Sequence, residues 1–422
     1  MVFSAWLILK DTVAQENIRI SFVVEPLEIR TIRKFGTAHS STSTRTNALL
    51  RVRLDTHESL SEVGLPPFKP GIYEGTYADC ERLIKTYASL LVNAFGKQVV
   101  SWFNSESPAE TFAWDSAHEA AGNSEIDFSS EDLSGMQQAY SKICYRLIEV
   151  LDFCMSEQEG YPRSAYTLLE TGILKCMSFS LGVPISELLQ ISPGLESIKC
   201  FYTVGMSNDF DEMLENVRYG RDNTAFIKLK VDCDLSKALQ AMRLLEGEGL
   251  LKDFCKTVAI DANCSWTPQV ATKFLQEFKE YTKYVVMVEQ PFPFDMPFSS
   301  GKDNEEWMQV KALFESEGVE IYADESMRTS HDVELLSPYC HGVNIKLEKT
   351  GGFREAVRAQ KICQSLGIKV WLGCMVGSAL NCNSIIEILQ LCNSAADMDG
   401  FLLVSASCTN STNSTLSMLS MI

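Results

Sequence analysis

Two lysines and three carboxylates fall where short apolar segments end, and their types and spacing suggest proton transfer beside a metal. In FIKLKV the side chains of an extended strand alternate, so Ile227, Leu229 and Val231 share one face and Lys228 and Lys230 the other. If the apolar face packs on helices, both lysines point into an interior where they are costly to desolvate and repel each other. The expected chemistry is a general base whose pKa is lowered by its neighbour, able to take a proton near neutral pH. Asp261 ends VAID, Glu289 ends VVMVE and Asp324 ends IYAD, at intervals of 28 and 35 residues. One such carboxylate alone would read as a helix cap or a turn residue. Three on consecutive strands repel unless a cation sits between them, and hard oxygen donors without His or Cys favour Mg²⁺, with Mn²⁺ as a substitute. Lys346 holds the same level on the next strand, in GVNIKLEKTGG.

These residues need a scaffold that brings strand ends together. From 197 onward, β-rich runs alternate with helical patterns: SIKCFYTV, AFIKLKV, VAIDAN, YVVMVEQP, IYADES, GVNIKLE, IKVWLGCM and FLLV. Eight strands at roughly 26 residues per unit match strand–loop–helix repeats, and near-continuous apolar strands mean a parallel sheet covered by helices. Eight units predict a closed α/β barrel, whose reactive groups gather at the C-terminal strand ends. In a barrel of eight, strands two and six are opposite one another, so Lys230 and Lys346 flank the three carboxylate strands. That arrangement suits removal of a proton from one face of a carbon and return to the other. A metal would stabilise the enolate formed when a proton leaves the carbon beside a carboxylate.

The first part of the chain reads differently. IRISFVVEPLEIRTI and NALLRVRLD predict an antiparallel sheet interrupted by a polar loop, FGTAHSSTSTRT. Helical spacing follows over 78–95, 131–156 and 164–181, with Met136, Tyr140, Ile143 and Leu147 on one face. The polar stretch near 101–128 reads as an insertion. The expected division is an N-terminal α+β domain over 1–160, a barrel over 161–404 and a low-complexity tail over 405–422.

Composition limits the partners. Of 422 residues, 37 are Lys or Arg and 55 Asp or Glu, a net charge of −18 that disfavours nucleic acid and anionic membranes. It suits a bound cation or a substrate bearing an ammonium group. The 14 Cys form no CxxC pair and no zinc motif is present, so the thiols read as small hydrophobes of a reducing cytoplasm. The N-terminal apolar run lacks the basic start and cleavage site of a signal peptide. No segment approaches a membrane span. No GxGxxG or GxxxxGK[ST] nucleotide motif occurs. A homo-oligomer stays open.

Taken in order, KLK, DAN, VEQP, ADES and IKLEKTGG resemble the enolase superfamily, and within it the muconate-lactonizing subgroup with a lysine on each side of the substrate. The likeness covers roughly residues 18–404. It implies an α+β capping domain before a modified (β/α)7β barrel. It further implies Lys230 and Lys346 as the acid/base pair, Lys228 as an auxiliary lysine, and Asp261, Glu289 and Asp324 as Mg²⁺ ligands. Asn263 would support the metal shell at the substrate's edge.

Asp397 and Asp399 in ADMDGFLLV stand two apart just before the expected last strand. A DxD here is similar to that of dipeptide epimerases, where it grips the substrate's free α-ammonium. The resemblance therefore implies epimerisation of a dipeptide at its C-terminal residue. The alternatives are N-acylamino-acid racemisation, o-succinylbenzoate synthesis, cycloisomerisation or a non-catalytic binding relative. In the cap loop at 35–46, where Ala-Glu epimerases carry a basic residue, the best match is the neutral Ser40 beside His39. That predicts acceptance of neutral or hydrophobic side chains, unless Arg45 swings inward. Gly377 stands where the family pattern has Glu, which puts the hydrogen bonding around Lys346 in question, and the tail departs from the segment that usually returns to the cap.

Overall fold

The computed structural model describes residues 2–10, 17–36, 41–104, 135–157, 160–192, 198–207, 209–251 and 256–405. Strands β1 (Phe3–Lys10), β2 (Asn17–Gly36), β3 (Ser41–Leu54), β4 (His57–Val63) and β5 (Val99–Asn104) form an antiparallel sheet in the order β4-β3-β2-β1-β5. The N-terminal apolar run is thus a strand: Phe3, Ala5, Leu7 and Leu9 are buried while the residues between them are half-exposed. Helices α1 (Tyr77–Phe95) and α3 (Arg163–Leu181) cover its apolar face, and α2 (Gly135–Glu157) packs on both. α3 approaches closely enough that a Cβ at Gly172 would lie 2.8 Å from Val52 Cγ2. There Ser59 and Ser61 hydroxyls donate to the Gly172 and Leu168 carbonyls at 2.7 and 2.9 Å.

Two expectations are corrected in this domain. The loop expected over 35–46 is mostly strand, because β2 and β3 stay paired out to Phe35↔Thr42 and Gly36↔Ser41. Alternating Ser and Thr suit a solvated ribbon as well as a loop, and the polarity of STSTRT does not separate the two. The stretch SWFN, assigned to an insertion, is β5, held beside β1 with the Trp6 and Phe103 rings 4.9 Å apart. Residues 37–40, including Ser40 and His39, lie outside the described residues, as do 105–134 and the tail from 406.

The second domain is a closed parallel barrel of β6 (Lys199–Val204), β7 (Phe226–Lys230), β8 (Val258–Asp261), β9 (Val285–Glu289), β10 (Glu320–Ala323), β11 (Gly342–Lys346), β12 (Lys369–Gly373) and β13 (Ala395–Asp397). β13 closes onto β6, so the second and sixth strands, β7 and β11, face each other across the ring. The eighth strand differs from expectation. It is AAD, and FLLV instead forms a 3-10 turn, Gly400–Leu403. After β13 the chain leaves the barrel, and this turn packs against β2 of the cap and the helix Ala379–Ile386. Val404 then bridges Thr31, and the Ser405 N–H donates to the Arg30 carbonyl at 2.8 Å, so the chain does return to the cap.

Alternation inside the barrel makes two layers. Phe201, Ala259, Met287, Tyr322, Trp371 and Ala395 form an apolar plug near the N-terminal ends. Two residues further along those strands come Thr203, Asp261, Glu289, Asp324, Gly373 and Asp397, with Lys228 and Lys346 at the same height on β7 and β11. The plug dries the floor on which the charged layer stands, which strengthens every electrostatic contact above it.

Candidate active site

The charged layer is buried: Asp261 and Glu289 have no exposure, Asp324 and Lys228 are 2% exposed, and Lys346 is 6% exposed. Strand register puts Lys230 beside Asp261 and Asp261 beside Glu289. Each lysine meets a carboxylate. Lys230 Nζ is 2.5 Å from Asp261, Lys228 Nζ is 2.9 Å from Glu289, and Lys346 Nζ is 2.8 Å from Asp324. Lys228 also pairs with Asp397, and Lys349 with Asp324. Gly373 makes room for Lys346, since a Cβ there would lie 2.8 Å from Lys346 Cε.

At Lys228 this pairing reverses the expectation of a lysine pKa lowered by its neighbour. Burial does push Lys228 down, but Asp397 and Glu289 outweigh it and hold the ammonium well above its usual range. Lys346 behaves alike, with Asp324 overriding burial. At Lys228 and Lys346, carboxylates in contact overcome both burial and the repulsion between lysines.

The loops that follow the strands are locally constrained. Asn263, Cys264 and Gln290 have φ of 46°, 64° and 39°, an unusual backbone for non-glycine residues. Gln290 uses it to clamp the next strand: its Oε1 accepts from the Asp324 and Ser326 N–H groups at 2.8 and 3.2 Å. Asn263 donates its backbone N–H to Asp261 at 3.0 Å, accepts from Lys230 at 3.2 Å and donates its side-chain amide to Glu325 at 3.0 Å.

Whether this layer fits a divalent cation is a question of charge and donors. Among the described residues, no group of three His, Cys, Asp or Glu is gathered as a metal cage. The carboxylates turn to the ammonium groups. They nonetheless crowd one another: burial raises Glu289, Lys228 lowers it, and Asp261 and Asp324 raise it further. Burial and the same two aspartates lift Glu325 to about 7, and its Oε2 is buried without a hydrogen-bond partner. Buried hard oxygens that repel each other and take up cationic partners fit Mg²⁺.

Asp397 ends β13 and Asp399 follows it, so the pair sits after the eighth strand's start rather than before it. Neither carboxylate is idle. Asp397 pairs with Lys228 and accepts from the Thr203 hydroxyl at 3.1 Å, while Asp399 accepts from the Thr203 N–H. Burial and the neighbouring Asp397 push Asp399 well above the usual carboxylate range. Both line a cavity of about 310 Å³ at the barrel mouth, together with Lys228, Lys230 and Lys346.

The cap completes this cavity with Pro66, Pro67, Phe68, Tyr73 and Arg45. Arg45 thus lines the cavity from the cap side. Burial lowers its guanidinium to about 10, with Tyr73 opposing. Sequence reasoning missed Thr203, Glu325, Lys349 and Asn344, which donates to Glu289 at 2.5 Å. Each lies within two or three residues of a strand's end, which is the one signal that could have found them.

Comparisons with known proteins agree with this geometry. Residues 212–402 match the enolase C-terminal domain-like family. An enolase superfamily member of Dictyostelium discoideum is 31% identical over 403 residues, 92% of this chain and 89% of that protein. An L-Ala-D/L-amino acid epimerase of Pedosphaera parvula is 27% identical over 57% of this chain and 64% of its own. Among solved structures, a dipeptide epimerase from Enterococcus faecalis complexed with Mg and L-Leu-L-Tyr shares the fold, with a TM-score of 0.67 at 19% identity over 91% of each chain. A muconate lactonizing enzyme from Pseudomonas fluorescens has a TM-score of 0.64 at 18% identity, covering 90% of this chain and 88% of that one.

Proposed function

Because this chain belongs to the enolase superfamily, we propose that it is an isomerase, a Mg²⁺-dependent dipeptide epimerase that inverts the C-terminal residue. The observation that carries this reading is the pair Lys230 and Lys346 on opposed strands of a closed barrel, with Asp397 and Asp399 in the same cavity.

One lysine removes the α-proton from one face of the substrate carbon, and the other delivers a proton to the opposite face. Lys228, between Glu289 and Asp397, adds positive charge near the substrate carboxylate. Asp261, Glu289 and Asp324 would hold Mg²⁺, which supplies Lewis-acid stabilisation of negative charge on that carboxylate. Asp397 and Asp399 receive the free ammonium of the N-terminal residue, exchanging the contact with Lys228 for one with substrate. The apolar floor and the Pro66–Phe68 wall exclude water from the reacting carbon.

Muconate lactonizing enzymes share the fold, and N-acylamino-acid racemases need no ammonium site. The two aspartates favour a substrate with a free amine over either. Arg45 on the cap side favours an acidic side chain on the inverted residue. The test is a dipeptide library incubated with enzyme and Mg²⁺ in D₂O and read by mass spectrometry. Deuterium should enter the C-terminal residue of turned-over dipeptides; a library that stays unlabelled, while N-acylamino acids are labelled, would reject the proposal.

A further inference from the structure

Two thiols meet behind the cavity wall. Cys374 follows β12, Cys382 lies on the helix Ala379–Ile386, and their sulfurs are 3.9 Å apart. Both are buried, but Cys374 also lines the cavity, so a small solute can reach it from the barrel mouth. Its sulfur is a structural contact too. The Gly400 N–H donates to Cys374 Sγ at 3.3 Å, and a Cβ at Gly400 would lie only 2.9 Å from that sulfur. Gly400 directly follows the segment that carries Asp397 and Asp399.

We propose that Cys374 and Cys382 are an oxidisable pair that forms a reversible disulfide when peroxide enters the cavity, and that closing it loosens the Asp397–Gly400 segment. The atoms balance with peroxide as the oxidant. The Cys374 sulfur attacks one peroxide oxygen, the O–O bond breaks, and a sulfenic acid and one water result. The Cys382 sulfur then displaces the second oxygen as water, and the S–S bond forms. Two thiols lose two protons and two electrons, and peroxide leaves as two waters. A disulfide needs its sulfurs about 2.0 Å apart, so the pair closes by about 1.9 Å. Whatever part of that movement Cys374 takes draws its sulfur toward Cys382 and disturbs its 3.3 Å contact with the Gly400 N–H. The Cys382 hydrogen bond, burial and the nearby aspartates hold the Cys374 thiol protonated, which makes the reaction slow at neutral pH and faster as pH rises.

The test treats the whole enzyme with hydrogen peroxide and maps peptides without reduction. The expected product is a cross-linked peptide joining Cys374 to Cys382, lighter by two hydrogens, formed faster at higher pH and reversed by dithiothreitol. Amide exchange at Gly400 should accelerate in step. Where dipeptide turnover is followed, an arm that rests on the proposed function, oxidation should raise KM about tenfold with a smaller change in kcat. Cys382→Ser should retain the activity of the reduced enzyme and resist this change, and Cys382→Ala serves if the serine variant does not fold. Wild-type peptide mapping decides the matter without either variant. Oxidation confined to Cys233 or Cys264, with Cys374 and Cys382 still free, would overturn the proposal. So would a cross-link that leaves Gly400 exchange unchanged. The mapping and exchange results hold whatever the substrate is, so failure here is separable from failure of the epimerase reading.

Discussion

Glu62 of the cap accepts a hydrogen bond from the Ser378 N–H of the barrel at 3.0 Å, one residue past Gly377. The Ser378 hydroxyl also donates to Glu62, and Asn47 donates to it at 2.8 Å. A carboxylate from the cap therefore serves the loop beside Gly377, and Lys346 finds its partner in Asp324. A Cβ at Gly377 would lie 2.8 Å from Glu62 Oε1 and 3.0 Å from Asn381 Cβ. Placing a second carboxylate here with Gly377→Glu should destabilise the protein by about 2–3 kcal/mol, from overpacking and two crowded carboxylates. Gly377→Ala should cost less. Denaturant midpoints of the two variants check this; an unchanged midpoint for Gly377→Glu would contradict the packing described.

Lys230 and Lys346 should each serve one stereoisomer. Lys230→Ala should abolish solvent deuterium exchange from one epimer and Lys346→Ala from the other, and both should lose epimerisation. Following the α-proton by NMR in D₂O separates the two half-reactions. Epimerisation retained by either variant would sink the two-base mechanism.

Asp261, Glu289 and Asp324 should make turnover depend on a divalent cation. Exhaustive chelation should stop it, and Mg²⁺ should restore it. Glu289→Gln should weaken Mg²⁺ binding measured by calorimetry by at least about tenfold, because a charged hard ligand is lost. Full activity in the chelated protein would contradict the assignment.

Substrate choice should divide between the two ends of the cavity. Asp397→Asn with Asp399→Asn should raise KM for dipeptides, since a desolvated charge-assisted contact is worth about 2–3 kcal/mol. N-acetyl dipeptides should be poor substrates of the native enzyme. Arg45→Ala should lower kcat/KM for Ala-Glu more than for Ala-Leu. If neutral dipeptides outrun Ala-Glu in the native protein and Arg45→Ala leaves their ratio unchanged, Arg45 does not read the side chain.

Lys175 should make stability depend on pH. It is buried on α3, donates to Ser384 at 2.8 Å, and burial lowers it to about 8, against the weaker pull of Glu387 and Glu62. Below pH 8 the folded protein carries a buried ammonium at full cost. Between about 8 and 10.5 the folded state releases this proton before the unfolded state does, so stability gains as pH rises. The full change is on the order of 3 kcal/mol. Lys175→Met should therefore be the more stable protein at pH 7, and its advantage should shrink by pH 10. Parallel denaturation curves that keep a constant gap would reject this.

Some of this molecule follows from the chain's local chemistry. Alternation along a strand sends Lys228, Lys230, Asp261, Glu289 and Asp324 inward wherever the intervening residues pack on helices, because side-chain direction is set by the backbone one residue at a time. Repeated strand–helix units then leave few ways to cover both faces of a parallel sheet, and a closed ring of eight puts β7 opposite β11. Other features were decided by which segments pair and pack with one another. Polarity could not tell the paired ribbon of β2 and β3 from a loop, because the hydrogen bonds that define it belong to a partner strand. FLLV had the composition of a strand, yet the short AAD took the place between β12 and β6 and carried Asp397 with it. Which ammonium meets which carboxylate, the turn of Arg45 into the cavity and the use of Glu62 beside Gly377 depend on distances across the fold. Those distances exist only once the cap has docked on the barrel.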